Sequence, residues 1–282
     1  MELSKAILTE VIIPRLPETH KGNFGRILCI GGDAQYGGAI ILCAQACVAS
    51  GAGLVTVITD SHNHTALHAR LPEAMVVDWT DVNTITPLLK TADCLVVGPG
   101  MGLSAHSLDL LMLIQQSQTA QQTLILDGSA LTLLAQESLT FPFPQQIVIT
   151  PHQKEWERLS HLPISLQTAE ANRKKQKEFG FTLVLKSYQT TIYTATTDYL
   201  NPFGNPAMAT GGTGDTLAGM IASFIGQFGA TATNEKAICA AVALHSYIAD
   251  ELAKDRYVVL PSDIAKAIPL YMKQFAQQAL IH

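Results

Sequence analysis

The chain offers little to attract a polyanion and nothing long enough to cross a bilayer. Its 282 residues hold 18 lysines and arginines against 23 aspartates and glutamates, a formal net charge of -5, which leaves no basic surface for nucleic acid or anionic lipid. No apolar run approaches the ~20 residues of a membrane-spanning helix. The opening MELSKAILTEVIIPRLPETHKGNFG also lacks the basic stretch and apolar run of a secretory leader, so a cytoplasmic setting is expected. Five cysteines, Cys29, Cys43, Cys47, Cys94 and Cys239, are an odd number scattered among apolar neighbours, and buried reduced thiols are expected rather than disulfides. Cys43 and Cys47 lie one helical turn apart, but no second ligand pair adjoins them in sequence, and a metal site is not expected there. Charged residues are scarce at 15% and hydrophobic ones reach 48%, which excludes a disordered chain. No Gly/Ser linker, low-complexity run or repeat divides the sequence, so one domain over 1–282 is expected.

What is present is an alternation of apolar runs and helical patterns. RILCIGG (26–32), LVTVIT (54–59), CLVVGPGMG (94–102), TLILDGSAL (123–131) and QIVITPHQKEWERL (146–159) each read as a strand. Except for LVTVIT, each runs into a turn, glycine loop or helix. Strands apolar on both faces and separated by helices imply βαβ crossovers and a parallel sheet covered on both sides. FTLVLKSYQTTIYTATTDYL (181–200) has no helical interlude and should supply two or three adjacent strands, at least one antiparallel. A short amphipathic helix opens the chain and helices close it, the last expected to break at Pro269. In such a sheet ligands sit beyond the carboxyl ends of the strands, where the distinctive residues gather: Gly31 to Gly38, Gly98 to Gly102, Asp127, Thr150 to Glu155, Lys186 to Thr190 and Gly211 to Asp215.

The stretch NPAMATGGTGDTLAGM, Asn205 to Met220, sets glycines ahead of an apolar helix. Leu217, Met220, Ile221, Phe224 and Ile225 recur at one-face spacing, so a helix is expected from about Thr213. Its first turn has unpaired N–H groups and a partial positive charge, and Gly211, Gly212 and Gly214 would let an anion approach with no Cβ in the way. A flexible turn is the competing reading. Asp215 has two readings as well. It is either a base that takes a proton from a hydroxyl while the amides stabilise transferring phosphate, or a carboxylate complementing the helix dipole, worth only about 0.3–1 kcal/mol.

Other motifs are narrower. GDAQYGGA (32–39) has the frame of a P-loop, but Gly38 and Ala39 stand where lysine and serine or threonine belong, and the dinucleotide glycine pattern is missing too. His62, His64 and His68 suggest zinc, yet no acid sits between them, and a solvated helix start is the expected reading. His152 and Glu155 share a helical face just after a strand, which fits ligand contact better than metal.

Together, NPAMATGGTGDTLAGMIASFIGQ, KGNFGRILCIGG with YGGAIILCAQACVASGAGLVTV, LPEAM, GPGMG, LDGSAL and TPHQKE resemble the ADP/ATP-dependent NAD(P)H-hydrate dehydratases of the ribokinase-like superfamily. The likeness runs in order through nearly the whole chain. It implies a three-layer αβα sandwich with a mostly parallel central sheet, and repair of NADH and NADPH hydrated at C6 of the nicotinamide ring, by phosphorylation of the unwanted hydroxyl and elimination of phosphate. By this resemblance Asp215 is the catalytic base, and Ala39, Gly102, His152 and Asp215 contact the hydrate. Lys186, Ser187, Tyr188, Gln189 and Thr190 hold the nucleotide, with Gly211, Gly212, Thr213 and Gly214 as its anion hole. The resemblance also implies ADP or ATP as co-substrate, Mg²⁺ carried by the phosphates with no dedicated protein cage, a homotetramer, and a separate epimerase, since no epimerase segment precedes this one. Two other activities fit the glycine–aspartate motif: a ribokinase-like kinase of a vitamin alcohol such as hydroxyethylthiazole, and a non-catalytic nucleotide sensor. One departure stands out, because Ser187 follows Lys186 where the family usually has glycine.

Overall fold

Strands that are apolar on both faces must be covered on both faces, and the computed structural model, described over residues 1–280, shows how. Its sheet comprises β1 (Arg26–Ile30), β2 (Leu54–Thr59), β3 (Met75–Asp78), β4 (Cys94–Val97), β5 (Thr123–Leu126), β6 (Ile147–Ile149), β7 (Thr182–Leu185), β8 (Thr191–Tyr193) and β9 (Asp198–Leu200). The order is β3-β2-β1-β4-β5-β6-β7-β8-β9. The first seven run parallel, while β8 and β9 close one side antiparallel. Alternate side chains enter opposite layers, as the twofold period of a strand requires: Ile27 and Cys29 join one core, Leu28 and Ile30 the other. The order reverses between β1 and β4, and at such a switch point the loops part to leave a crevice.

One layer holds α1 (Ala6–Val11), α2 (Gly37–Ala49), α3 (His64–Arg70), α9 (Thr213–Ala232), α10 (Asn234–Leu252) and α11 (Pro261–Gln278). The other holds α4 (Val82–Thr91), α5 (Ala105–Ser117), α6 (Ser129–Glu137) and α7 (Gln153–Ser160), and α8 (Ala169–Phe179) docks beside it through Phe179 and an Asn172–Trp156 hydrogen bond of 2.9 Å. The three-layer αβα sandwich expected from the sequence is present. Helix α9 begins at Thr213 as its periodicity predicts. No described helix is long and apolar enough to cross a membrane.

The expected break at Pro269 does not occur, because α11 continues through it. The proline costs the helix a hydrogen bond and crowds the preceding turn, but Ile264, Ala265, Ile268 and Phe275 are buried on both sides of it, and their burial holds the helix together. Strand β3 and helix α4 have no counterpart in the sequence reading. The strand is a four-residue, half-exposed edge, too short to show a period.

The small residues of α2 and α9 let the helices meet backbone to backbone. A Cβ built on Gly219 would lie 2.2 Å from the Cys43 carbonyl oxygen and 3.1 Å from the Ala46 methyl. Cys29 joins the Cys43–Cys47 pair here, with all three sulfurs within 4.8 Å of one another and fully buried. The Cys47 thiol donates to the Gly219 carbonyl at 3.2 Å, so these thiols fill the seam as small core groups.

Gly219→Ala is therefore expected to destabilise the protein by roughly 1–3 kcal/mol through overpacking. Gly211→Ala, which meets no atom within 4 Å, should leave the melting temperature unchanged. Scanning calorimetry of both variants checks this, and an unaltered midpoint for Gly219→Ala would show that the helices tolerate wider separation.

Candidate active site

Two glycine loops meet at the β1/β4 crevice. The Gly32 amide donates to the Pro99 carbonyl at 2.8 Å and the Asp33 amide to the Gly100 carbonyl at 2.7 Å, so the loop after β1 rests on the loop after β4. Ala39, in the first turn of α2, lies against Gly100, whose added Cβ would stand 3.0 Å from the alanine methyl. Gly102 has φ of 73° and faces the Asp33 carboxylate, which an added Cβ would meet at 2.6 Å; its amide donates to Ser129 Oγ at 3.1 Å. The structure thus brings Ala39 and Gly102 to one crevice.

The next three strand ends carry a polar row. Asp127 follows β5, Thr150 follows β6 and Lys186 follows β7. The buried Asp127 Oδ1 accepts from Thr150 Oγ1 and from Lys186 Nζ, both at 2.8 Å. The lysine head reaches onward to the start of α9, where a Cβ built on Gly214 would lie 3.0 Å from Nζ. Sequence reading grouped Asp127 with the rim but gave it no role. The signal was one acid ending the apolar run LIL.

Helix α9 starts bare. Gly212 is its N-cap with φ of 96°, and no side chain caps the first turn. A Cβ on Gly212 would strike Leu42 at 2.4 Å, so close packing and the left-handed backbone both require glycine. The amides of the first turn are left to bind an anion. Asp215 lies in that turn. Burial pushes its carboxyl up to about 6, Asp127 and Glu155 push the same way, and Lys186 opposes them. A helix N-terminus favours the ionised form, whereas burial and the two neighbouring acids favour the protonated one.

Glu155 is also raised, by burial first and then by Asp127, against the pull of Lys186 and His152. Burial works against the Lys186 ammonium, but Asp127 and Glu155 outweigh it and the net shift is upward. His152 is the N-cap of α7: its Nδ1 accepts from the Lys154 amide at 3.1 Å and the Glu155 amide at 3.3 Å, while Glu155 Oε2 accepts from the His152 amide at 2.8 Å. This capping box occupies Nδ1 and fixes the ring, while Nε2 of the half-exposed side chain lies 3.6 Å from Glu155 Oε2. Of the three histidines near the start of α3, His62 binds Asp60 at 2.7 Å, His64 is half-buried and His68 is exposed.

Lys186 to Thr190 form the turn between β7 and β8. Ser187 Oγ donates to the Gln189 carbonyl at 2.7 Å. Positive φ at non-glycine residues occurs at Ser138, His161 and Thr233 among the described residues, so Ser187 does not occupy a glycine-only conformation. A cavity of about 360 Å³ opens here, lined by Lys186, Ser187, Tyr188, Thr190, Thr213 and Gly214 with Phe203, Met208, Leu217 and His245. Gln189, Gly211 and Gly212 lie outside its lining. His245 had no place in the sequence reading.

The family model for NAD(P)H-hydrate dehydratase matches residues 27–270. The chain is 52% identical to an ADP-dependent (S)-NAD(P)H-hydrate dehydratase of Enterococcus faecalis, over 98% of this chain and 94% of that one. Among solved structures it is similar to a ribokinase-like superfamily protein of the same organism, with TM-score 0.95 and 52% identity, covering 98% of this chain and 96% of the other. It is also similar to the ADP/ATP-dependent NAD(P)H-hydrate dehydratase of Bacillus subtilis co-crystallised with ATP/Mg²⁺, with TM-score 0.84 and 26% identity over 96% and 97% of the two chains. A likeness this complete, on a fold whose strand ends gather these groups, has one consequence: the chain belongs to the NAD(P)H-hydrate dehydratase family.

Proposed function

We propose that this protein is an enzyme that dehydrates the S-epimer of hydrated NADH and NADPH back to the intact cofactor, using ADP as phosphate donor. The observation that carries the reading is Asp215, a half-buried carboxylate of raised basicity set in the uncapped first turn of α9. Binding a phosphate needs no base, whereas transferring one to a hydroxyl does.

The nucleotide's phosphates lie on the amides led by Gly211, Gly212, Thr213 and Gly214, with the Lys186 ammonium beside them. The turn of Ser187, Tyr188, Gln189 and Thr190 borders the rest of the nucleotide. The hydrated ring lies in the crevice of Ala39 and Gly102, within reach of His152 and Asp215. Asp215 takes the proton of the C6 hydroxyl as its oxygen bonds to the terminal phosphorus and AMP leaves. The C6–O bond then breaks, phosphate departs, the neighbouring ring carbon loses a proton and the double bond returns. Hydroxide leaves poorly and phosphate well, which is why the phosphoryl step is needed. Positioning and charge stabilisation supply most of the rate in such transfers.

A divalent cation fits the donor set. Three carboxylates, Asp127, Glu155 and Asp215, share one cation, Lys186, so the site carries surplus negative charge on hard oxygen atoms. Asp127 and Glu155 would hold magnesium together with phosphate oxygens and water, and the ion would neutralise charge on the phosphates. Five reduced, buried cysteines suit a cytoplasmic setting, and a separate epimerase would supply the S form.

The purified protein mixed with NADH hydrate and Mg²⁺ should restore near-ultraviolet absorbance when ADP is added. A stable phosphorylated product would instead identify an alcohol kinase, and nucleotide binding without turnover a sensor. Asp215→Asn is expected to lower turnover by about 10²–10⁴-fold with nucleotide affinity retained; full turnover in that variant would remove the base from the mechanism.

The pH profile follows from the sign of the shift. Asp215 acts as the carboxylate, so kcat/KM should fall as pH drops through about 6. Lys186 holds that value down, so in Lys186→Gln the acid limb should move to higher pH while the KM for ADP rises. A limb that stays in place or moves downward would contradict the arrangement.

His152→Asn keeps a good N-cap but removes Nε2. It should raise the KM for the hydrate, leave that for ADP near the wild-type value, and keep thermal stability. Equal losses for both substrates would count against hydrate contact.

A further inference from the structure

His245 sits in the middle of α10, 3% exposed, and its Nε2 has no hydrogen-bond partner among the described residues. A buried polar atom left unpaired costs about 1–3 kcal/mol. Its neighbours are no ordinary core, because His245 forms part of the wall of the 360 Å³ cavity. Burial lowers the imidazole to about 4, with the Thr213 backbone pulling the other way and Lys186 adding to the drop. The ring is therefore neutral and adds nothing to the charge that phosphates seek.

Phosphate is already provided for at the Lys186, Thr213 and Gly214 end of this cavity. The remaining wall sets Tyr188, Phe203, Pro206, Met208 and Leu217 beside the polar Ser187, Thr190, Asn205 and Ser246, and its aromatic and apolar members suit a flat purine ring. Asn205 and Ser246 already have hydrogen-bond partners, whereas His245 has a ring nitrogen to spare, and such a group gives direction and selectivity.

Building on the reading that the nucleotide occupies this cavity, we propose that His245 is a base-reading residue, its Nε2 pairing with the polar edge of the adenine. His245 borders the cavity with its buried Nε2 unpartnered among the described residues, and the broad χ2 torsion of histidine lets the ring turn as the base enters. The residue acts on nucleotide affinity and base choice, and leaves the hydroxyl chemistry at Asp215 alone.

The test measures binding by calorimetry for wild type, His245→Ala and His245→Gln with three magnesium-loaded probes: ADP, purine riboside diphosphate lacking the exocyclic amine, and pyrophosphate. His245→Ala is expected to weaken ADP about tenfold, leave pyrophosphate unchanged, and erase the wild-type preference for ADP over purine riboside diphosphate. His245→Gln should recover part of the ADP affinity. In turnover, the KM for ADP should rise while kcat and the KM for the hydrate hold. Unchanged ADP affinity in His245→Ala, or equal losses of ADP and pyrophosphate, would overturn the proposal. Should the alanine variant not fold, the glutamine variant decides it: reduced base preference with intact pyrophosphate binding supports base reading, and intact preference overturns it. Wild-type protein that binds pyrophosphate but shows no preference for ADP also refutes base reading, whereas failure to bind any of the three removes the nucleotide reading beneath it.

Discussion

The distance at which α9 packs on α2 and the sheet governs the rest of the molecule. A glycine at residue 219 against the Cys43 carbonyl lets the helix axes approach more closely than ordinary side chains permit. That approach carries the bare first turn of α9 to the strand ends where Asp127 and Lys186 wait. A shift of one methyl group along this seam would move the Thr213 and Gly214 amides relative to the lysine, and phosphoryl transfer depends on such positions. The smallness of α2, with its alanines, glycines and cysteines, thus sets where the first turn of α9 stands.

The second constraint is electrostatic. The row from Asp127 through Thr150 to Lys186 crosses three adjacent parallel strands, so the sheet's own register fixes it. Parallel strands end together on one side, and each contributes the residue just beyond its last apolar position. Asp127 neutralises Lys186 when nothing else does, and it holds the ammonium over Gly214. A long flexible side chain is thereby ordered before the substrate arrives, and less entropy remains to be lost on binding.

Much of this was legible in the residues themselves. Strand cores such as RILCI and CLVV declare themselves by being apolar on both faces, and the start of α9 follows from one-face periodicity after glycine. Tertiary structure decided what local pattern could not. Helix α11 runs through Pro269 because its apolar face is buried on both sides of the proline, a fact about its neighbours. The edge strand β3 is too short to carry a period. The pairing of Asp127 with Lys186 joins residues 59 apart in sequence, and only the strand order makes them neighbours. His245 was hidden differently. In ALHSYIA it stands beside Ser246 in a mostly apolar stretch of helix, and its meaning depends on the cavity that it lines with the β7–β8 turn.

The two readings of Asp215 can be separated on physical grounds. A carboxylate placed only to complement the helix dipole should be held below its ordinary value, as the positive end of the helix favours its charge. Asp215 goes the other way, because burial, Asp127 and Glu155 together outweigh Lys186. A protein gains no stability by maintaining an acid in that condition. It does raise the basicity of a carboxylate set among uncapped amides near the Lys186 ammonium, the arrangement that the base reading requires. Nucleotide phosphates would raise Asp215 further by adding negative charge beside it. The surplus of carboxylates over lysine is charge that magnesium-loaded phosphates would help to balance.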